Sequence, residues 1–155
     1  MLKKKILGIL LIGVLVFSIT GCGIKYPDLE KDAIGFQTGN YIDENDDGAG
    51  YLTIEYNGRT YMPYGTLKGS LKEKNIDKCI GYIIQDENSS SVVDKNNKDT
   101  RIYTLTDDKE NNFLLEYYIG TNLMNQPSFY RAIDTKDKNI NIPKFIDSLD
   151  YNYWK

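Results

Sequence analysis

Histidine is absent from this chain of 155 residues. Without an imidazole, neither a Ser-His nor a Cys-His nucleophile pair can be assembled, and the usual zinc ligand sets lose a principal member. Cysteine occurs only at Cys22 and Cys79, too few for the disulfide framework that staples small exported domains. Arginine occurs only at Arg59, Arg101 and Arg131, and 22 acids outnumber 19 bases. A nucleic-acid surface needs clustered Lys and Arg against phosphate, so no nucleic-acid partner is expected. Carboxylate chemistry remains, but it needs two acids facing each other across a cleft. Spacing selects no pair, so no enzyme is expected.

What is present begins at the N-terminus. Lys3, Lys4 and Lys5 precede an unbroken apolar run over 6–17, and Ser18, Ile19, Thr20, Gly21 and Cys22 follow. A basic segment, an apolar core and small residues in this order have the plan of a secretory signal. A helix over 6–19 would reach about 21 Å at ~1.5 Å per residue, short of a hydrocarbon core of roughly 30 Å. Ile19-Thr20-Gly21-Cys22 resembles the lipobox of bacterial membrane lipoproteins. The resemblance implies a diacylglyceryl group on the Cys22 thiol and cleavage that makes Cys22 the mature N-terminus, usually with further acylation of its amine. Two such signals anchor stably where one chain holds only marginally, each buried methylene contributing about 0.8 kcal/mol. The expected place is the extracytoplasmic face of the cell membrane, with the membrane itself the first partner. An ordinary cleaved signal, or an uncleaved N-terminal helix with Cys22 incidental, is the alternative.

Residues 1–21 are thus the signal peptide, 22–32 a tether, and 33–155 a single small α+β domain. The leader removes three lysines and no acid, so the net charge moves from −3 to −6 in a mature chain of 134 residues. That length suits one domain with its own core, and the acid surplus keeps it off anionic headgroups. The expected architecture is mainly an antiparallel sheet of about five to seven strands with a short C-terminal helix.

Residues 33–42 read as a first strand. The alternating runs 51–56 and 59–64 flank Asn57-Gly58, the strongest short-range hairpin signal. That turn sets Tyr56 opposite Arg59, Ile54 opposite Tyr61 and Leu52 opposite Pro63. Pro63 cannot donate to a ladder, so the second strand is expected to lie at an edge or to end there. Residues 79–85 read as a buried strand, 86–100 as a long polar loop, and 101–106, 112–119 and 128–134 as strands joined closely enough to be antiparallel neighbours. Pro143 near a first turn, with Phe145, Ile146 and Leu149 on one face, predicts the helix.

Asp43, Asn45 and Asp47 before Gly48 match the opening of an EF-hand-type loop, with oxygen ligands at alternate positions for Ca²⁺. The twelfth position falls on Ile54, and the nearest carboxylate, Glu55, comes one residue late, so an acidic turn before a strand is the competing reading. Apart from Ca²⁺ no cofactor is expected. Cys79, beside Ile80, reads as a small buried hydrophobe rather than a nucleophile. Tyr151, Tyr153 and Trp154 form a candidate surface for a peptide, protein or cell-wall glycan partner, or simply cover the sheet.

Asn57-Gly58-Arg59-Thr60, Pro63 and Leu67 are similar to the hairpin of the copper amine oxidase N-terminal-like domains, over a short stretch in which Gly65 replaces that family's Arg. Nothing catalytic transfers. The functional expectation is a non-catalytic binding or interception module at the outer face of the cytoplasmic membrane, with an accessory subunit or folding factor of a membrane or cell-wall enzyme complex as the alternative.

Overall fold

The computed structural model describes residues 25–43, 49–69, 71–84, 98–120, 126–146 and 148–154. Strands follow in chain order as β1 (Leu29–Gln37), β2 (Gly39–Asp43), β3 (Ala49–Tyr56), β4 (Arg59–Thr66), β5 (Ile76–Ile84), β6 (Thr100–Leu105), β7 (Phe113–Tyr118), β8 (Ser128–Ala132) and β9 (Tyr151–Asn152). They form one sheet in the order β1-β5-β6-β7-β8-β4-β3-β2, with β9 beside β4. The β1–β5 pair is parallel; the other pairs are antiparallel.

Asn57 and Gly58 hold φ of 49° and 72°, the left-handed pair that a type I′ turn requires. Tyr56 faces Arg59 and Ile54 faces Tyr61, as the alternation dictates. Leu52 does not reach Pro63. It pairs with Asn40 instead, because β3 leaves β4 there and continues against β2.

β4 is not the edge strand that Pro63 suggested, since it lies between β8 and β3. Pro63 is tolerated because the β3 ladder stops at Ile54–Tyr61 and β9 takes over at Gly65–Asn152. Between the two, the Trp154 indole Nε1 donates to the Pro63 carbonyl at 3.0 Å. Gly65 makes room for this, because a Cβ there would strike the Tyr151 carbonyl oxygen.

The α+β expectation is corrected to an almost wholly β fold. Helix among the described residues is confined to two three-residue 3-10 turns, Glu73–Asn75 and Ile133–Thr135, and there is no C-terminal helix. The Ile146 N–H closes one tight turn on the Pro143 carbonyl at 2.8 Å. Beyond it the Asp150 and Tyr153 N–H groups bond to the Thr66 and Tyr64 carbonyls, at 2.9 Å each. An isolated helix of about two turns is marginal, and pairing with β4 satisfies the same backbone groups. The sheet also has nine strands rather than five to seven, and β1 opens at Leu29, inside the stretch read as tether.

β1 and β2 are separated only by Thr38, yet they pair at opposite ends of the sheet order, β1 with β5 and β2 with β3. One run of chain therefore serves both ends and curls the sheet. Phe36 of β1 and Ile54 of β3 meet in one buried cluster with Tyr61, Ile102, Leu114 and Tyr130, which marks that face as concave. The convex face buries Cys79, Tyr103, Phe113, Leu115 and Phe129. Ile142, Phe145, Leu149 and Trp154 of the C-terminal segment cover it, together with Tyr26. β6 is thus buried on both faces from Ile102 to Leu105, with Thr104 the one polar residue of that stretch. Arg131 is buried here with its guanidinium 4.7 Å from the Trp154 ring and 5.4 Å from that of Tyr64, and it donates to the Thr135 carbonyl at 2.6 Å.

Candidate functional site

The curl does not close. The Tyr56 ring stands edge-on to Phe36 at 6.2 Å, but β1 and β3 share no ladder. The outer edge of β1 pairs with no strand among the described residues. The β1–β5 register also slips here: five steps from Leu29 to Ile34 match two from Cys79 to Gly81. β5 slips against β6 at the same level, between Ile76 and Cys79 and again between Cys79 and Gly81. Bulges bend a strand and re-aim its side chains; three in a row at one place leave a gap in an otherwise continuous wall. Gly81 lets β1 lie this close to β5, because a Cβ there would collide with the Ile34 carbonyl oxygen and the Phe36 ring.

The gap is a groove of about 440 Å³ lined by Glu30, Asp32, Ile34, Glu55, Tyr56 and Ile80. Lys78 is the one cation among its described lining residues, and its Nζ lies 3.9 Å from Glu30 Oε2. A second hollow of about 440 Å³ shares Tyr56, Asn57 and Lys78 with the first and adds Asp77, Asp108 and Lys109. The two share the hairpin tip as a wall, and their described linings together carry five carboxylates against two lysines.

Asp77 and Asp108 are partly committed to the fold. Asp77 Oδ2 accepts from the Thr104 hydroxyl at 3.1 Å. Asp108 Oδ2 accepts from the Phe113 N–H at 2.6 Å, and burial raises its pKa although the Phe113 and Asn112 N–H groups pull it down. Glu30, Asp32 and Glu55 line the open part. Such a wall accepts hydrogen bonds from cationic or amide donors.

A further acid, Glu116 of β7, lies between Tyr117 and Leu115 and shares the concave face with Leu114. Burial raises its pKa, opposed by a hydrogen bond with the Tyr130 hydroxyl. Burial likewise raises Tyr130, helped by the negative charge of Glu116. Sequence reasoning passed over Glu116; the signal was a lone glutamate inside the apolar run 113–118.

The residues singled out from the sequence do not converge. Cys22, Asn45 and Asp47 lie outside the described residues. Asp43 ends β2 opposite Ala49, while Ile54, at the twelfth loop position, is fully buried in the concave core. Among the described residues no group of three acidic or cysteine side chains is placed to hold a metal. Cys79 is fully buried, its Sγ 3.6 Å from the Gly81 carbonyl oxygen, and burial pushes its thiol pKa up. The C-terminal trio divides. Trp154 is packed against Tyr64 and Arg131, whereas Tyr151 and Tyr153 stand 59% and 41% exposed with their rings edge-on at 4.7 Å.

No family model matches the chain, and no curated protein or solved structure matches it.

Proposed function

We propose that this is an extracytoplasmic lipid-anchored lipoprotein whose domain is a non-catalytic binding module at the outer face of the cytoplasmic membrane. Its ligand lies in the groove between β1 and the β3–β4 hairpin. The leader supports the address: a basic segment, an apolar run too short to span, and Ile19-Thr20-Gly21-Cys22. The observation that carries the binding reading is the open, acid-lined groove at the one place where consecutive bulges part the sheet. Concave sites of this size class with a few convergent polar groups are where ligands bind.

Two measurements test the two halves. Cells expressing the protein with labelled palmitate should place label on the wild type and none on Cys22→Ala, and the variant should leave the membrane fraction. An intact Met1 with an unmodified Cys22 thiol by mass spectrometry overturns the address. For the groove, a photo-crosslinking amino acid in place of Glu55 should capture a ligand in intact cells, while the same group in place of Lys144 on the exposed C-terminal turn should not. Equal capture at both positions, or none at Glu55, overturns the binding reading.

A further inference from the structure

We infer that the occupant of the groove is an extended cationic peptide segment that adds as a strand to the open edge of β1. This rests on the binding reading above and names the partner class.

The first argument is geometric. β1 pairs on one side only among the described residues, and from Ile34 to Gln37 it keeps an unbroken register with β5, so over that stretch its other side presents backbone donors and acceptors at the spacing of an unfinished sheet. An added strand would lie roughly 4.8 Å away, alongside the hairpin tip at Asn57 and Gly58, which lines the same groove. Glu30, Asp32 and Ile34, alternate residues of β1, line one side of the groove. A groove lined along a strand suits a chain better than a point ion.

The second argument is charge. Glu30, Asp32 and Glu55 face the open part of the groove against Lys78 alone. Edge-to-edge pairing of two copies of this chain would set these acids against each other, and like charges directly opposed destabilise a sheet. A segment with Lys or Arg at alternate positions meets complementary charge instead. Main-chain hydrogen bonds then supply affinity and alternate side chains supply selectivity, the division of labour in strand addition. The competing account is that Glu30, Lys31 and Asp32 merely blunt an exposed edge against aggregation, as charges on edge strands do.

The probe is a fluorescein-labelled decapeptide of alternating Lys and Thr, measured by anisotropy against the mature lipoprotein in non-ionic detergent. It should bind, and its Glu-Thr counterpart should not. Affinity should fall at least about tenfold for Asp32→Lys/Glu55→Lys, with an unchanged thermal melt, and fall with added salt, as complementary charge requires. N-methylation of alternate peptide nitrogens should cost a similar factor in one register and little in the other, because only every second N–H of a strand faces its neighbour. This last measurement leaves the protein unaltered. Equal binding of both N-methylated peptides shows attraction by charge alone and overturns strand addition. Failure of the Lys-Thr peptide to bind, while the Glu55 crosslinker still captures a ligand in cells, overturns the cationic peptide and leaves the binding module standing.

Discussion

The Asn57-Gly58 turn has two flanks, and they are built in opposite ways. On the β4 flank, the Arg59 guanidinium donates to the Asp134 carboxylate at 2.9 Å, to Asn112 Oδ1 at 3.1 Å and to the carbonyls of Glu110 and Asn111 at 2.9 and 3.2 Å. The Tyr61 hydroxyl adds a bond to the Asn111 carbonyl at 2.6 Å, and burial pushes its pKa up to about 12. On the β3 flank, Glu55 and Tyr56 face β1 across an open groove, with one ring contact to Phe36 between the strands. One side joins unlike charges and fills its donors; the other gathers like charges and leaves a strand edge unpaired. The tip is held by the contacts of one flank alone, so a ligand of the kind proposed would meet a groove already in place. A preformed site loses less ordering entropy on binding.

The contrast can be broken from its strong side first. Phe113 is fully buried on the convex face, touching Tyr64 and the Arg131 guanidinium. Phe113→Ala should cost about 3–5 kcal/mol, the range for a large aromatic removed from a packed core. Urea denaturation measures it, and a loss below ~2 kcal/mol means that the convex core is not what holds the sheet. Arg59→Met keeps the stem and removes the donors, and should cost about 1–3 kcal/mol, the range for orphaned partly buried partners. Hydrogen exchange should quicken at residues 111–113, while exchange in β9 stays unchanged. Uniform quickening would mean that Arg59 supports the whole sheet rather than the hairpin tip.

Glu116→Gln is the gentlest change. The folded pKa of Glu116 is raised above its ordinary value by burial. Its contribution is therefore fully present below the unfolded pKa of about 4.3 and is lost as pH rises through the raised folded value. The Gln variant keeps a partner for Tyr130 without the buried charge, so it should match the wild type in acid and surpass it increasingly towards neutral pH. A constant difference across that window would show that Glu116 is hydrated in the folded protein.

Much of the strand pattern was legible. Asn57-Gly58 between alternating runs specified a turn, its register and the Ile54–Tyr61 contact, because a two-residue turn leaves no freedom in the pairing beside it. β5 was visible as an apolar run, and β6, β7 and β8 as strands whose short connections favoured the antiparallel neighbours found. Pro143 with Phe145, Ile146 and Leu149 was read as a helix face, but the same apolar residues cover the convex sheet from a chain of turns. Spacing near four reports which residues are buried together, and a strap can bury them as well as a helix. Pro63 misled for a related reason: a proline is barred from a ladder only where a neighbouring strand asks for its N–H, and here β3 ends its pairing before Pro63 and β9 begins after it.

The groove was not legible. Glu30 and Asp32 looked like tether and Glu55 like a failed calcium ligand; with Lys78 they stand around one hollow only because β1 crosses to lie beside β5. Order along the chain settled what is local: the turn, the apolar runs and the acid surplus. Which edge stayed open, and which charges came to share it, was settled by long-range packing. The register between strands far apart in the chain follows from how two buried faces fit around the curl, and no stretch of neighbouring residues carries that information.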